Sequence, residues 1–230
     1  MKCDGKIIIS RLKEVYEINQ EDFASLKVYN TTKDPFKLLI ATILSQNTTD
    51  KSAIKAYYNL ELNIGVTPKN LAEADIEKIR NLIKIVGLSN NKARNIKELS
   101  NIILNKYNDL NKILSLDPNE ARRKLTELPG VGEKTADVVL LTTKGYEFFP
   151  VDTHIRRISI RLGLASDKDS YSEISRKLKE FFKENLLEAH LLLIVHGRKT
   201  CKSKSPLCNT CVIRDCCKFG SSRTSQTFTS

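Results

Sequence analysis

The 230-residue chain has no tryptophan, and aromatic residues make up only 7% of it. The stacking platforms on which single-strand nucleic-acid binders lay successive bases are therefore not evident. Long apolar runs are also missing. The longest, "VVLL" at 138–141 and "LLLIV" at 191–195, are core segments, far short of the ~18–20 residues that a membrane span needs. The opening "MKCDGKIIISRLKEVYEI" has too short an apolar stretch for a secretory leader, so the expected location is cytoplasmic, with no membrane partner. Strand signals are scarce, and the expected fold class is all-α. Acidic residues are in deficit, 27 against 38 basic ones, for a net charge of +11. That balance favours a polyanionic partner, and with so few aromatics a duplex backbone fits better than single strands.

What the sequence does contain is helix punctuation. Asp34-Pro35, Thr67-Pro68 and Asp117-Pro118 each pair an N-cap with proline at the first helical position. Glu120 follows Asp117 as in a capping-box variant. Asp50, Asp75, Ser89 and Asp152 are further predicted caps. Ala93, Ile96, Leu99, Ile103 and Tyr107 recur at three- and four-residue spacing, as one face of a helix does. About ten short helices result. "VGLSNNKARNI" and "PGVGEKTADVV" echo one another, each with a glycine turn feeding a helix that has lysine in its first turn. The Ser/Thr-rich end, 218–230, has no apolar periodicity and is expected to be a disordered tail.

"ELPGVGEKTADVVL" at 127–140 carries the most local information. Gly130 and Gly132 can adopt positive φ and have no Cβ to block a close approach. A tight turn there exposes the amides of Val131 and Gly132 at a helix N-terminus, where the dipole favours an anion. In a basic chain that anion is a DNA phosphate, gripped without sequence readout. Lys134 sits where the dipole disfavours a charged amine. From the stretch alone it reads as a solvent-exposed or phosphate-contacting lysine; the alternative is that the same environment favours the neutral form, which is nucleophilic and can form a Schiff base. Asp152, 18 residues further on, is a cap by its context and a carboxylate for general-base or cation-stabilising work by its chemistry. Asp137, three residues past Lys134, is a rival partner. Arg156 and Arg157 are candidates to face phosphates, and His154 is expected to be structural.

Six cysteines in a chain without an export signal do not describe a disulfide scaffold. Cys201, Cys208, Cys211 and Cys217 form C-x6-C-x2-C-x5-C, a four-thiolate set for tetrahedral zinc or an iron–sulfur cluster. Cys216 abuts Cys217, so one of the two is spare. "KSKSPL" between the first two ligands offers Lys202 and Lys204 as a second phosphate contact.

"LLIATILSQNTTD", "LPGVGEKTADVVL", "VDTHIRR" and the cysteine spacing occur together. With them the chain resembles endonuclease III, of the helix–hairpin–helix superfamily of DNA glycosylases, from about residue 28 to 217. The resemblance implies a six-helix barrel domain with the hairpin, 28–146, and a [4Fe–4S] cluster domain built from 1–27 and 147–217, with the active site in a cleft between them. It implies a monomeric bifunctional DNA glycosylase and AP lyase of base excision repair. Such an enzyme removes oxidised pyrimidines from damaged double-stranded DNA and cuts 3′ to the abasic site by β-elimination. By position Lys134 and Asp152 would be catalytic, Cys217 rather than Cys216 the fourth cluster ligand, and Gln46 and Asn47 a polar wedge in the gap left by the flipped base. Glu133 departs from the basic residue frequent in relatives, which implies a weaker phosphate grip. The alternatives are a monofunctional adenine or mismatch glycosylase of the same fold, which would lack a lysine at 134, and a non-catalytic DNA-binding module.

Overall fold

The computed structural model describes residues 3–222, and no strand occurs among them. The helices are α1 (Gly5–Val15), α2 (Ala24–Thr32), α3 (Pro35–Ser45), α4 (Asp50–Asn63), α5 (Pro68–Glu73), α6 (Ile76–Leu82), α7 (Ser89–Ile102), α8 (Leu110–Leu114), α9 (Pro118–Thr126), α10 (Glu133–Lys144), α11 (Thr153–Leu162), α12 (Tyr171–Phe182), α13 (Leu186–Lys199) and α14 (Lys218–Ser222). They fall into two compact units, one of Asn19–Tyr146 and one joining the residues up to Ile18 with those from Glu147 onward.

In the first unit α3 is the central helix. After its proline only lysine and the final serine escape burial: Phe36 and Leu38 to Leu44 are all inside. A helix apolar all round must be surrounded, and α2, α4, α7, α8 and α10 pack on it. Residues 19–27, expected in the other unit, belong here. Asp50 explains why: its carboxylate accepts from the Ala24 amide (2.9 Å) across to the start of α2. The capping of α4 therefore falls to Thr49, whose hydroxyl accepts from the Ser52 amide (3.2 Å). Asp34, Thr67, Asp75 and Asp117 cap their helices as the sequence indicates. Ser89 does not cap, because Leu88 occupies the cap position in a left-handed conformation with no side-chain acceptor. The apolar spacing continued to Tyr107, but α-geometry stops at Ile102 and a π-turn runs over Ile103–Tyr107.

The second unit is built on α13, buried from Ala189 to Gly197, with α1, α11 and α12 against it and α14 on α11. Phe149 and Phe182 stack at 5.6 Å between ring centroids. A side chain at Gly197 would meet His154 at 2.8 Å, so glycine is what lets α11 and α13 come this close. Asp152 caps α11 through the Ile155 amide (2.7 Å). A full capping box, unread in the sequence, pairs Ser170 with Glu173 at α12. Residues 218–222 of the expected disordered tail are helical: Gly220 donates its amide to the Cys217 sulfur (3.4 Å), which anchors the turn. Residues 223–230 lie outside the described residues.

Candidate nucleic-acid interface and metal centre

The hairpin links α9 to α10. Gly130 has φ +79°, and a Cβ there would meet the Asn95 amide nitrogen of α7 at 2.7 Å. The conformation therefore favours glycine, and a Cβ would also require the Asn95 side chain to shift. Gly132 differs from expectation: its φ is −89°, and it serves as the N-cap of α10 with no side chain to satisfy the first-turn amides. The Val131 amide also differs, being spent on Leu128 O (3.1 Å) to close the turn, while its side chain is buried. The backbone available to an anion is thus narrower than the sequence suggests: the Gly132 amide and the start of α10, at the positive end of a 12-residue helix.

Lys134 lies on the first turn of α10, half-buried. Asp137 is fully buried, and Arg122 from α9 forks onto both its oxygens (2.6 and 3.2 Å). Arg122 also reaches Glu133 (3.3 Å). So the rival carboxylate is part of a buried ion pair that clamps α9 to α10. The acidic residue that sets this hairpin apart sits beside a guanidinium, which offsets its charge.

Gln46 and Asn47 separate in role. Gln46 donates its side-chain amide to Gly130 O (3.0 Å) and Thr135 Oγ1 (3.2 Å), bracing the hairpin. Asn47 is exposed, at φ +54°.

In the other unit, Cys201, Cys208, Cys211 and Cys217 are free thiols that line one cavity with Ile158 and Leu162. No three of these sulfurs lie within 4.8 Å of one another. Zinc–sulfur bonds of about 2.3 Å would draw tetrahedral ligands closer than that, so the spread suits a multi-iron cluster better. Burial pushes the Cys211 thiol up to about 11; thiolates there need cationic metal to form. Arg161 Nη1 meets Cys201 Sγ at 3.3 Å, a donor directed at thiolate charge. These residues fit the cluster.

Comparison with known proteins decides the family. The model of the HhH-GPD superfamily of base excision DNA repair proteins matches residues 40–184. Endonuclease III of Sulfolobus acidocaldarius is 46% identical over 91% of this chain and 93% of its own. The Escherichia coli K12 enzyme is 39% identical over 80% and 84%. This chain belongs to the endonuclease III family. A trapped endonuclease III–DNA covalent intermediate superposes with a TM-score of 0.75, at 32% identity over 96% of this chain and 99% of that one. A thermostable thymine-DNA glycosylase shares the fold at TM-score 0.75 and 21% identity, over 95% of both chains.

Several contacts in this endonuclease III family member are invisible to motif reading. Arg156 and Arg157, candidates to face phosphates, are engaged by backbone carbonyls: Arg156 donates to Asp167 O (2.8 Å) and Asp169 O (3.0 Å), and Arg157 to Cys201 O and Gly197 O (both 2.9 Å). Arg157 also meets His154 Nδ1 (3.0 Å), in keeping with a structural His154. Arg161 donates to Lys202 O (2.7 Å) and Ser203 O (3.0 Å), so Arg157 and Arg161 pin the cysteine loop from α11. Lys202 and Lys204 are exposed on that loop. Cys3 and Cys216, unpaired in the sequence reading, form a disulfide between residues 213 apart. Only a shared "IRRISIR" face hinted at the arginines, and nothing hinted at the disulfide. No helix among the described residues is long and apolar enough to cross a membrane.

Proposed function

We infer that this chain is a bifunctional DNA glycosylase and AP lyase of base excision repair, with Lys134 as nucleophile and Asp152 as the assisting carboxylate. One observation carries the reading: endonuclease III relatives match almost end to end, and Lys134 stands on the first turn behind the hairpin. A monofunctional glycosylase has no use for an amine there.

The hairpin holds a backbone phosphate through the Gly132 amide and the α10 dipole. Two exposed residues of strained backbone enter the duplex as a nucleotide is extruded, a step costing a few kcal/mol and less for a poorly stacked damaged base. Asn47 is the polar one; Leu88, 61% exposed at φ +48°, is the apolar one. Asp152 stabilises cationic character at the sugar and accepts a proton from the Lys134 ammonium. The neutral Lys134 attacks C1′, the C1′–N bond breaks, and the base leaves with its electron pair and takes up a proton. The attacking nitrogen loses a proton, the C1′–O4′ bond opens with O4′ taking up a proton, and the resulting imine makes the C2′ proton acidic. Its loss expels the 3′-phosphate by β-elimination, and water releases Lys134 from the imine.

Oxidised pyrimidines are the proposed substrates. Cys201, Cys208, Cys211 and Cys217 would hold a [4Fe–4S] cluster, which supplies four metal–thiolate bonds that tie the loop together and present Lys202 and Lys204 to a second phosphate.

Borohydride reduction on a duplex carrying an oxidised pyrimidine or an abasic site tests this. The expected result is a covalent adduct, lost in Lys134→Ala while duplex binding persists. Base release without capture would refute the lyase assignment.

A further inference from the structure

Lys92 is the buried cation that the mechanism leaves unused. It is 4% exposed, and no carboxylate is among its acceptors in the described residues. Its ammonium instead donates to three backbone carbonyls: Leu44 O (2.8 Å), Gln46 O (2.7 Å) and Val86 O (3.4 Å). Leu44 and Gln46 belong to the C-terminal end of α3, where unpaired carbonyls and the negative pole of the dipole favour a cation. Val86 closes the turn before α7.

These acceptors are not spread at random. Gln46 immediately precedes Asn47, and Val86 lies two residues before Leu88. Asn47 and Leu88 both hold positive φ, at 54° and 48°, in a region where side-chain-bearing residues persist only when their surroundings hold them. The Lys92 amide also donates to Leu88 O (3.0 Å), so the same residue meets the second loop from backbone and side chain. Three residues on, Asn95 abuts Gly130 of the hairpin, so α7 braces both loops and the turn.

We propose that Lys92 is a positioning residue whose ammonium fixes the spacing of the Asn47 and Leu88 loops, so that both side chains enter the duplex together when a nucleotide is extruded. This rests on the reading of Asn47 and Leu88 given above. It assigns Lys92 to the extrusion step and not to bond breaking at C1′. A lysine that only staples the fold predicts equal losses on every substrate.

The test uses Lys92→Met, of similar length but without donors, and Lys92→Gln, which keeps an amide donor, both in the full-length holoprotein. Single-turnover base release is measured on a lesion opposite a normal base and on the same lesion opposite a one-nucleotide gap, where no partner base must be displaced. The loss in Lys92→Met on the paired duplex should exceed that on the gapped one by roughly tenfold or more, with Lys92→Gln intermediate. Combining Lys92→Met with Asn47→Ala and Leu88→Ala should add little further loss on the paired duplex. Equal losses on the two duplexes, or fully additive losses in the combined variant, overturn the proposal. If Lys92→Met does not fold, the ratio for Lys92→Gln decides alone. Should the wild-type protein fail to form a reducible adduct, the functional reading fails instead, and the two failures are distinguishable.

Discussion

Two glycines in one turn give opposite predictions for stability but the same prediction for binding. Gly130→Ala places a side chain at φ +79° and a Cβ 2.7 Å from the Asn95 amide tip. The left-handed conformation costs about 1–2 kcal/mol, and displacing a flexible amide adds a little. A stiffer unfolded chain returns about 0.4–1 kcal/mol. The net loss is about 1 kcal/mol, or roughly 2–4 °C in melting temperature for a chain of this size. Gly132→Ser meets open space at φ −89° and supplies the missing cap. It should be stabilised by about a few tenths of a kcal/mol. Yet its hydroxyl occupies the amides that the phosphate needs, each worth about 1.5–3 kcal/mol as a charge-assisted bond. Affinity for an abasic duplex should therefore fall about tenfold or more in both variants, although one is less stable than wild type and the other more so. Melting curves and titrations on a reduced-abasic duplex check this. A Gly132→Ser protein that is more stable and binds as well as wild type would show that no phosphate sits at this helix start.

Other perturbations follow from the buried pairs. Arg122→Met strips the guanidinium from the fully buried Asp137 and should cost roughly 3–5 kcal/mol, read by chemical denaturation, whereas Asp137→Asn should leave base release far faster than Asp152→Asn. If the order is reversed, the catalytic carboxylate is the wrong one. Burial raises the Glu61 carboxyl, but the bonds from Lys37 and the Val66 amide outweigh it and hold the group below its usual 4.5. A depressed carboxyl contributes stability that is complete above 4.5 and fades as pH falls through the folded value. Melting temperatures of wild type and Lys37→Met should accordingly differ at pH 6 and approach one another as pH falls below 4.5 through the folded value; a constant gap contradicts the pairing. Cys3→Ser opens a link between residues 213 apart and should cost about 2–5 kcal/mol. Thiol counting on wild type should find two more reactive groups after reduction than before it, and no change in count means the bond is not formed in solution.

Much of the frame was legible because it is local. Proline-preceded caps at Asp34, Thr67 and Asp117 work within one helical turn, so neighbouring residues suffice to announce them. The four clustered cysteines were readable for the same reason. Predictions failed where a side chain found a distant partner. Asp50 was drawn off to Ala24, Arg156 and Arg157 to carbonyls, and Cys216 to Cys3. None of those pairings leaves a periodic trace.

The sequence by itself determined an all-helical, basic chain with a glycine hairpin ahead of Lys134 and a four-thiol loop, because backbone conformation and ligand spacing are short-range properties. Tertiary structure alone decided which glycine carries the strained turn, which carboxylate is buried against Arg122, and that Lys92 gathers three carbonyls from two loops. Those outcomes depend on desolvation and on the close approach of residues tens of positions apart, and only the folded chain sets either.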